Sequence, residues 1–75
     1  MPALSDLSRG DRGVISGYVD SSNEYRAKLL SMGLTPGTEF SIVRYAPMGD
    51  PIEIEVRGYR LSLRRAEASV VEVNQ

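Results

Sequence analysis

The sequence predicts a small, mainly β fold: a β-barrel of about five strands with one short α-helix inserted in it. Three observations carry this. Apolar residues alternate with polar ones in short runs, most plainly in Ile52-Glu-Ile-Glu-Val56. Glycine and proline gather in two turn-rich motifs, Met32-Gly-Leu-Thr-Pro-Gly37 and Ala46-Pro-Met-Gly-Asp-Pro51. Helical spacing of apolar residues is clear in one segment, after Ser21.

The chain has 75 residues, which makes residues 1–75 a single domain. A domain of this size buries only about 60 to 65 per cent of the surface its unfolded chain exposes, so it supports one thin core and no deep substrate cavity. It contains no cysteine and no histidine. Disulfides, thiolate metal ligands and the commonest general base are thereby absent. No nucleophile with an adjacent base and no phosphate-binding Gly-Lys-Ser/Thr loop is present, so no catalysis and no cofactor are expected. Nine basic and ten acidic residues give a formal charge of −1, too little for an overall field that draws nucleic acid or an anionic membrane. No apolar run approaches the roughly 20 residues that cross a bilayer, and Met1 to Asp6 lack the features of a secretion signal. A cytoplasmic location is expected.

The elements follow in order. Leu4 and Leu7 flank a tight turn that places two leucines on the core, and Arg9-Gly-Asp-Arg12 is a surface turn. Gly13 to Val19 is β-branched and aromatic enough for a strand, with Ile15 and Val19 on one face and Gly17 marking a bulge. Ser21 and Glu24 have capping-box spacing. Tyr25, Leu29 and Met32 then form a helical stripe, widened by Leu30, and Gly33 is the left-handed residue that ends the helix, with Leu34 as its apolar contact. About three turns of helix are not stable alone in water, so this one must lie on the barrel.

Thr35-Pro36-Gly37-Thr38 has the chemistry of a type II turn. In the strand Thr38 to Tyr45 the apolar parity changes, from Phe40 and Ile42 to Val43 and Tyr45, which implies a bulge. Ala46-Pro47-Met48-Gly49 suits a type I turn, and Pro51 biases Asp50 toward extended geometry. Two prolines stiffen this loop, which carries an exposed methionine. Ile52, Ile54 and Val56 then share a face with Leu61 and Leu63 in a hairpin. Taking Gly58-Tyr59 as a type II′ loop pairs Val56 with Leu61, Ile54 with Leu63 and Glu53 with Arg64, and sets Arg57 against Arg60. Arg65 to Ala68 is at most one helical turn, and Ser69 to Val73 is expected to close the barrel as a final strand, with Val71 and Val73 on one face.

These blocks, namely Arg26-Ala-Lys-Leu-Leu-Ser-Met-Gly-Leu-Thr-Pro-Gly37, Ala46 to Pro51, Ile54-Glu-Val-Arg-Gly58 and Leu61-Ser-Leu-Arg64, resemble the FeoA family of bacterial ferrous iron uptake over Leu4 to Val73. Met48 stands where the family often has leucine, a nearly volume-conserving difference. The resemblance implies an SH3-like barrel with its helix between the first two strands. It also implies a role beside the membrane permease FeoB, which has a cytosolic G-protein domain. The chain is then recruited to the inner face of the cell membrane by contact with that permease, without inserting in the bilayer itself, and acts on its assembly, GTPase or transport activity.

Candidate partner contacts are Arg26, Leu29, Leu30 and Met32 on the helix, with Tyr45 and Met48 beyond it; Leu29 and Met32 are read first as core residues, and Met48 is the stronger contact because a loop tip needs no methionine for packing. Arg26 and Arg44 are also candidates for an arginine supplied to the permease's GTPase. Gly33, Pro36, Gly37, Pro47, Gly49, Asp50, Pro51 and Gly58 are read as turn residues. Direct metal handling would fall to carboxylates such as Glu53 and Glu55, an open and weak site without His or Cys. Arg44, Arg57, Arg60, Arg64 and Arg65 with Tyr45 and Tyr59 form a basic, aromatic half, but Glu53, Glu55, Glu67 and Glu72 offset it, and no nucleic-acid binding is expected. The alternative reading is a peptide-binding relative of the SH3-like C-terminal domain of iron-dependent repressors.

Overall fold

In the computed structural model, residues 2–19 and 23–75 are described. A single 3₁₀ turn, Leu4–Asp6, precedes strand β1 (Arg12–Tyr18). Helix α1 (Asn23–Ser31), strands β2 (Glu39–Tyr45), β3 (Ile52–Val56) and β4 (Tyr59–Leu63), the one-turn helix α2 (Arg65–Ala68) and strand β5 (Val71–Asn74) follow. The five strands form one antiparallel sheet in the order β4-β3-β2-β1-β5. The fold is mainly β, as expected, with α1 between the first two strands. β5 does not close the sheet on β4; it adds to β1, and the chain passes from one edge to the other through α2. The outer edge of β5 is covered by the N-terminal segment, where the Val73 N–H donates to the Pro2 carbonyl at 3.0 Å.

Two bulges let so short a sheet curl. One lies between Ile15 and Gly17, the other between Ile42 and Arg44. Both were legible, the first from Gly17 and the second from the parity change in β2. Past the first, Tyr18 packs on the core, so the alternation pairing Ile15 with Val19 is broken there. Past the second, Tyr45 packs on the core and its hydroxyl donates to the Leu7 carbonyl. Leu4, Ile15, Ile42, Ile54, Leu63 and Val73 are among the fully buried side chains.

Helix α1 ends as its sequence dictates. Gly33 has φ +92, its N–H donates to the Leu30 carbonyl, and the Leu34 N–H reaches back to the Leu29 carbonyl. This is the paired hydrogen-bond pattern that satisfies the last carbonyls of a helix, with Leu34 and Leu29 in apolar register. Ser21 lies outside the described residues, and with it the expected capping box. The helix is held from several sides: Tyr59 donates to the Met32 carbonyl at 2.9 Å, Tyr18 to the Leu34 carbonyl at 2.5 Å, and Lys28 to Glu67 in α2 at 2.6 Å. The Thr35–Thr38 turn closes at 3.1 Å with Gly37 at φ +92.

The β3–β4 hairpin corrects the expected register. Val56 pairs with Tyr59, Ile54 with Leu61 and Ile52 with Leu63, so the loop is Arg57-Gly58 rather than Gly58-Tyr59. Both loop residues have positive φ, 49° and 82°. That is the signature of a type I′ turn, whose twist matches the flanking strands. The slide is two residues, so every side chain keeps its face, and alternation alone cannot tell the two registers apart. The left-handed backbone at Arg57 is accompanied by side-chain bonds to the Thr38 and Thr35 hydroxyls at 3.1 and 3.5 Å. Arg57 therefore does not face Arg60. Glu53 lies opposite Ser62 rather than Arg64.

Candidate functional site

The Ala46–Pro51 loop joins β2 to β3 at the end of the sheet away from the Arg57-Gly58 turn. Its turn is closed by the Gly49 N–H donating to the Ala46 carbonyl at 2.7 Å, and its base by the Ala46 N–H donating to the Pro51 carbonyl at 3.0 Å. The Asp50–Pro51 peptide is cis, and Gly49 has φ +83. α2 holds the loop from outside. The Arg65 N–H donates to Asp50 Oδ1 at 3.1 Å, and the Arg65 guanidinium to the Gly49 carbonyl at 3.5 Å. Arg64 Nη1 stands 4.0 Å from Asp50 Oδ1. At the tip, Met48 is 92% exposed, beside the exposed Pro47.

The sequence-predicted contact residues are not brought into one patch. Leu29 is fully buried and belongs to the core, so it presents no surface. Leu30 and Met32 are half-buried, with Met32 packed on the core, while Arg26 is exposed on α1. The C-terminal end of α1 sits against Tyr59 and the β3–β4 turn. Met48 lies at the other end of β3, about 13 Å of strand away. The loop is therefore held by α2. Tyr45 is half-buried at the base of the loop; burial raises its phenol pKa, Arg65 opposes that rise, and Asp11 and Asp6 add to it.

The charges near the loop are partly matched. Glu53 sits between Arg44 at 3.7 Å and Arg60 at 3.4 Å, so its carboxylate is engaged by two guanidinium groups rather than open to a metal ion. Glu55 is exposed, opposite Ser41 and Arg60. Among the described residues, no group of three or more Asp, Glu, His or Cys is placed to hold a metal ion. Glu67, also a carboxylate of the sequence, is 5% exposed and accepts from Lys28 at 2.6 Å and from the Arg64 N–H at 2.8 Å. The Lys28 hydrogen bond holds its carboxyl below the usual range against the opposing effect of burial.

Sequence reasoning did not find Arg64 and Arg65 as neighbours of the loop. Nothing local links Asp50 to Arg65, 15 positions on; only the β3–β4 hairpin returns the chain to that end. A shallow groove of about 270 Å³ runs past Arg12, Gly13, Val14, Glu39, Phe40 and Gln75. No acid–base pair or nucleophile converges on it.

Residues 3–75 match the FeoA domain family. The chain is 37% identical over 70 residues to the Fe(2+) transport protein A/Fe(2+) transporter FeoB fusion protein of Porphyromonas gingivalis (strain ATCC BAA-308 / W83). That alignment covers 93% of the chain but 8% of the fusion protein, so the chain spans a small part of that relative. The NMR structure of a FeoA-like protein from Clostridium acetobutylicum superposes with a TM-score of 0.89 at 40% identity, covering 96% of this chain and 83% of that one. The zinc complex of Stenotrophomonas maltophilia FeoA, described as a prokaryotic SH3 domain protein, gives 0.81 at 27% identity over 96% and 88%. The crystal structure of ScaR with bound Cd2+ reaches a TM-score of 0.87 at 17% identity over 36% of its own chain, a likeness of fold alone. No helix among the described residues is long and apolar enough to cross a membrane.

Proposed function

Because this chain belongs to the FeoA family of ferrous iron transport accessory proteins, we propose that it acts by binding the permease FeoB on its cytosolic side and modulating its assembly or its GTPase and transport activity. The observation that carries this is the Porphyromonas gingivalis relative, in which the corresponding segment and FeoB are one polypeptide. Fusion holds two partners at high effective concentration, which is advantageous when they work by contact. The chain's own chemistry supports the same reading. It has no histidine or cysteine, and the carboxylates Asp50, Glu53 and Glu67 each stand beside an arginine or lysine. Iron is then the cargo of the permease.

Weak divalent-metal binding at Glu53 and Glu55 has less support, since two arginines already neutralise Glu53. The test is a strain lacking only this protein. Ferrous uptake is expected to fall, or FeoB to be lost from the membrane, with the wild-type gene restoring both. Normal uptake at a normal permease level sinks the proposal.

A further inference from the structure

The Ala46–Pro51 loop has the construction of a rigid knob, and we propose that it is the docking element: Met48 enters an apolar socket on the cytosolic side of FeoB, and carboxylates on the rim of that socket face Arg44 and Arg64. This rests on the reading of the chain as a FeoB-binding accessory protein and adds the surface and the chemistry of its partner.

Among the described residues, Met48 is 92% exposed, whereas the other exposed large hydrophobics, Tyr25 and Tyr59, are at 41%, and the Tyr59 hydroxyl is bonded to the Met32 carbonyl. An apolar side chain so displayed does nothing for the fold, and burying it against a partner is favourable. Methionine is unbranched and polarisable, and it adapts to irregular apolar sockets. The backbone beneath it is fixed by its own turn, by the base hydrogen bond and by the Arg65 bonds to Gly49 and Asp50. Little ordering remains to be done on binding.

Charge selects the partner. The Arg44 and Arg64 side chains are 68% and 72% exposed. Glu53 is shared by Arg44 and Arg60, and Asp50 stands 4.0 Å from Arg64 and accepts the Arg65 backbone N–H, so with the exposed Glu55 opposite Arg60 four arginines meet three carboxylates on this side of a chain whose net charge is −1. Asp6 and Asp11 lie on the Tyr45 side and accept backbone N–H groups of Ala3 and Ser8 within their own turns. An acid-rimmed apolar socket is the complement of this surface, and a basic one is excluded by repulsion.

The experiment titrates the chain and its variants, each checked for a wild-type melting curve, against full-length FeoB in neutral detergent. Met48→Asp is expected to weaken binding about tenfold or more, with Met48→Leu close to wild type. Arg64→Glu is expected to weaken binding several-fold near about 50 mM salt, with the difference shrinking at high salt. Wild-type binding that survives both Met48→Asp and Arg64→Glu overturns the knob and leaves the accessory reading intact. No binding by the wild-type chain overturns both. Arg64→Glu binding like wild type at every salt concentration removes the acidic rim. Met48-dependent binding to phosphatidylglycerol vesicles without FeoB makes lipid the occupant and overturns the socket.

Discussion

Lys28 of α1 and Glu67 of α2, 39 positions apart in sequence, meet at 2.6 Å. Glu67 is buried, while the Lys28 side chain is 61% exposed. The same carboxylate accepts the Arg64 N–H and so also sets the start of α2. One side chain thereby ties the helix to the segment that supports the Met48 loop.

Glu67→Gln is expected to destabilise the fold by about 1–2 kcal/mol, because it replaces charge-assisted hydrogen bonds at a buried group. The pH dependence has a definite sign. Glu67 holds its proton less tightly in the folded state than the usual value of 4.5. Its contribution is therefore present above that value and is lost as pH falls through the lower folded pKa. Urea titrations from pH 7 to pH 3 should show the wild-type and Glu67→Gln curves converging on acidification. A difference constant across that range rules out the assignment.

Leu29→Ala is expected to cost about 2–5 kcal/mol, enough to unfold much of a domain this small. A variant that melts like wild type but no longer binds FeoB would return Leu29 to the surface and contradict its burial.

Gly33→Ala places a Cβ 2.8 Å from the Tyr59 hydroxyl at φ +92. Left-handed strain and loss of the Tyr59 bond to the Met32 carbonyl together predict about 1–3 kcal/mol. Tyr59→Phe alone should cost about 0.5–1.5 kcal/mol, and the two should be less than additive in denaturant melts. Full additivity shows that the contact is not shared.

Arg57→Asn is expected to be near neutral, since asparagine accepts φ +49 in a type I′ turn, whereas Arg57→Val should cost about 1–2 kcal/mol. Equal melting temperatures for the two variants would favour the Gly58-Tyr59 loop instead.

Met48 should be oxidised by hydrogen peroxide well before the half-buried Met32. Peroxide transfers one oxygen to the thioether sulfur and leaves as water. Peptide mass mapping against time reads the order. The oxidised chain is expected to melt within about 0.5 kcal/mol of the untreated one, as for a surface change away from the core. Equal oxidation rates at the two methionines would show that the tip is covered.

Most of the fold was determined by local rules that the sequence states outright. Gly33 and Gly37 must take positive φ, Gly17 and the parity change in β2 mark bulges, and alternation in β3 and β4 assigns every side chain to a face. These features depend on residues within a few positions of one another, so the linear order suffices to read them. The tertiary structure decided what a period of two cannot: the hairpin slides by two residues to reach an Arg57-Gly58 turn that twists with its strands, and no face changes. It also decided which distant residues meet. Lys28 finds Glu67, Arg65 finds Asp50, and Met48 stands at the far end of β3 from Met32. Those outcomes follow from chain return and from how a curled five-strand sheet packs its one helix, and such long-range geometry is not written in the spacing of neighbouring residues.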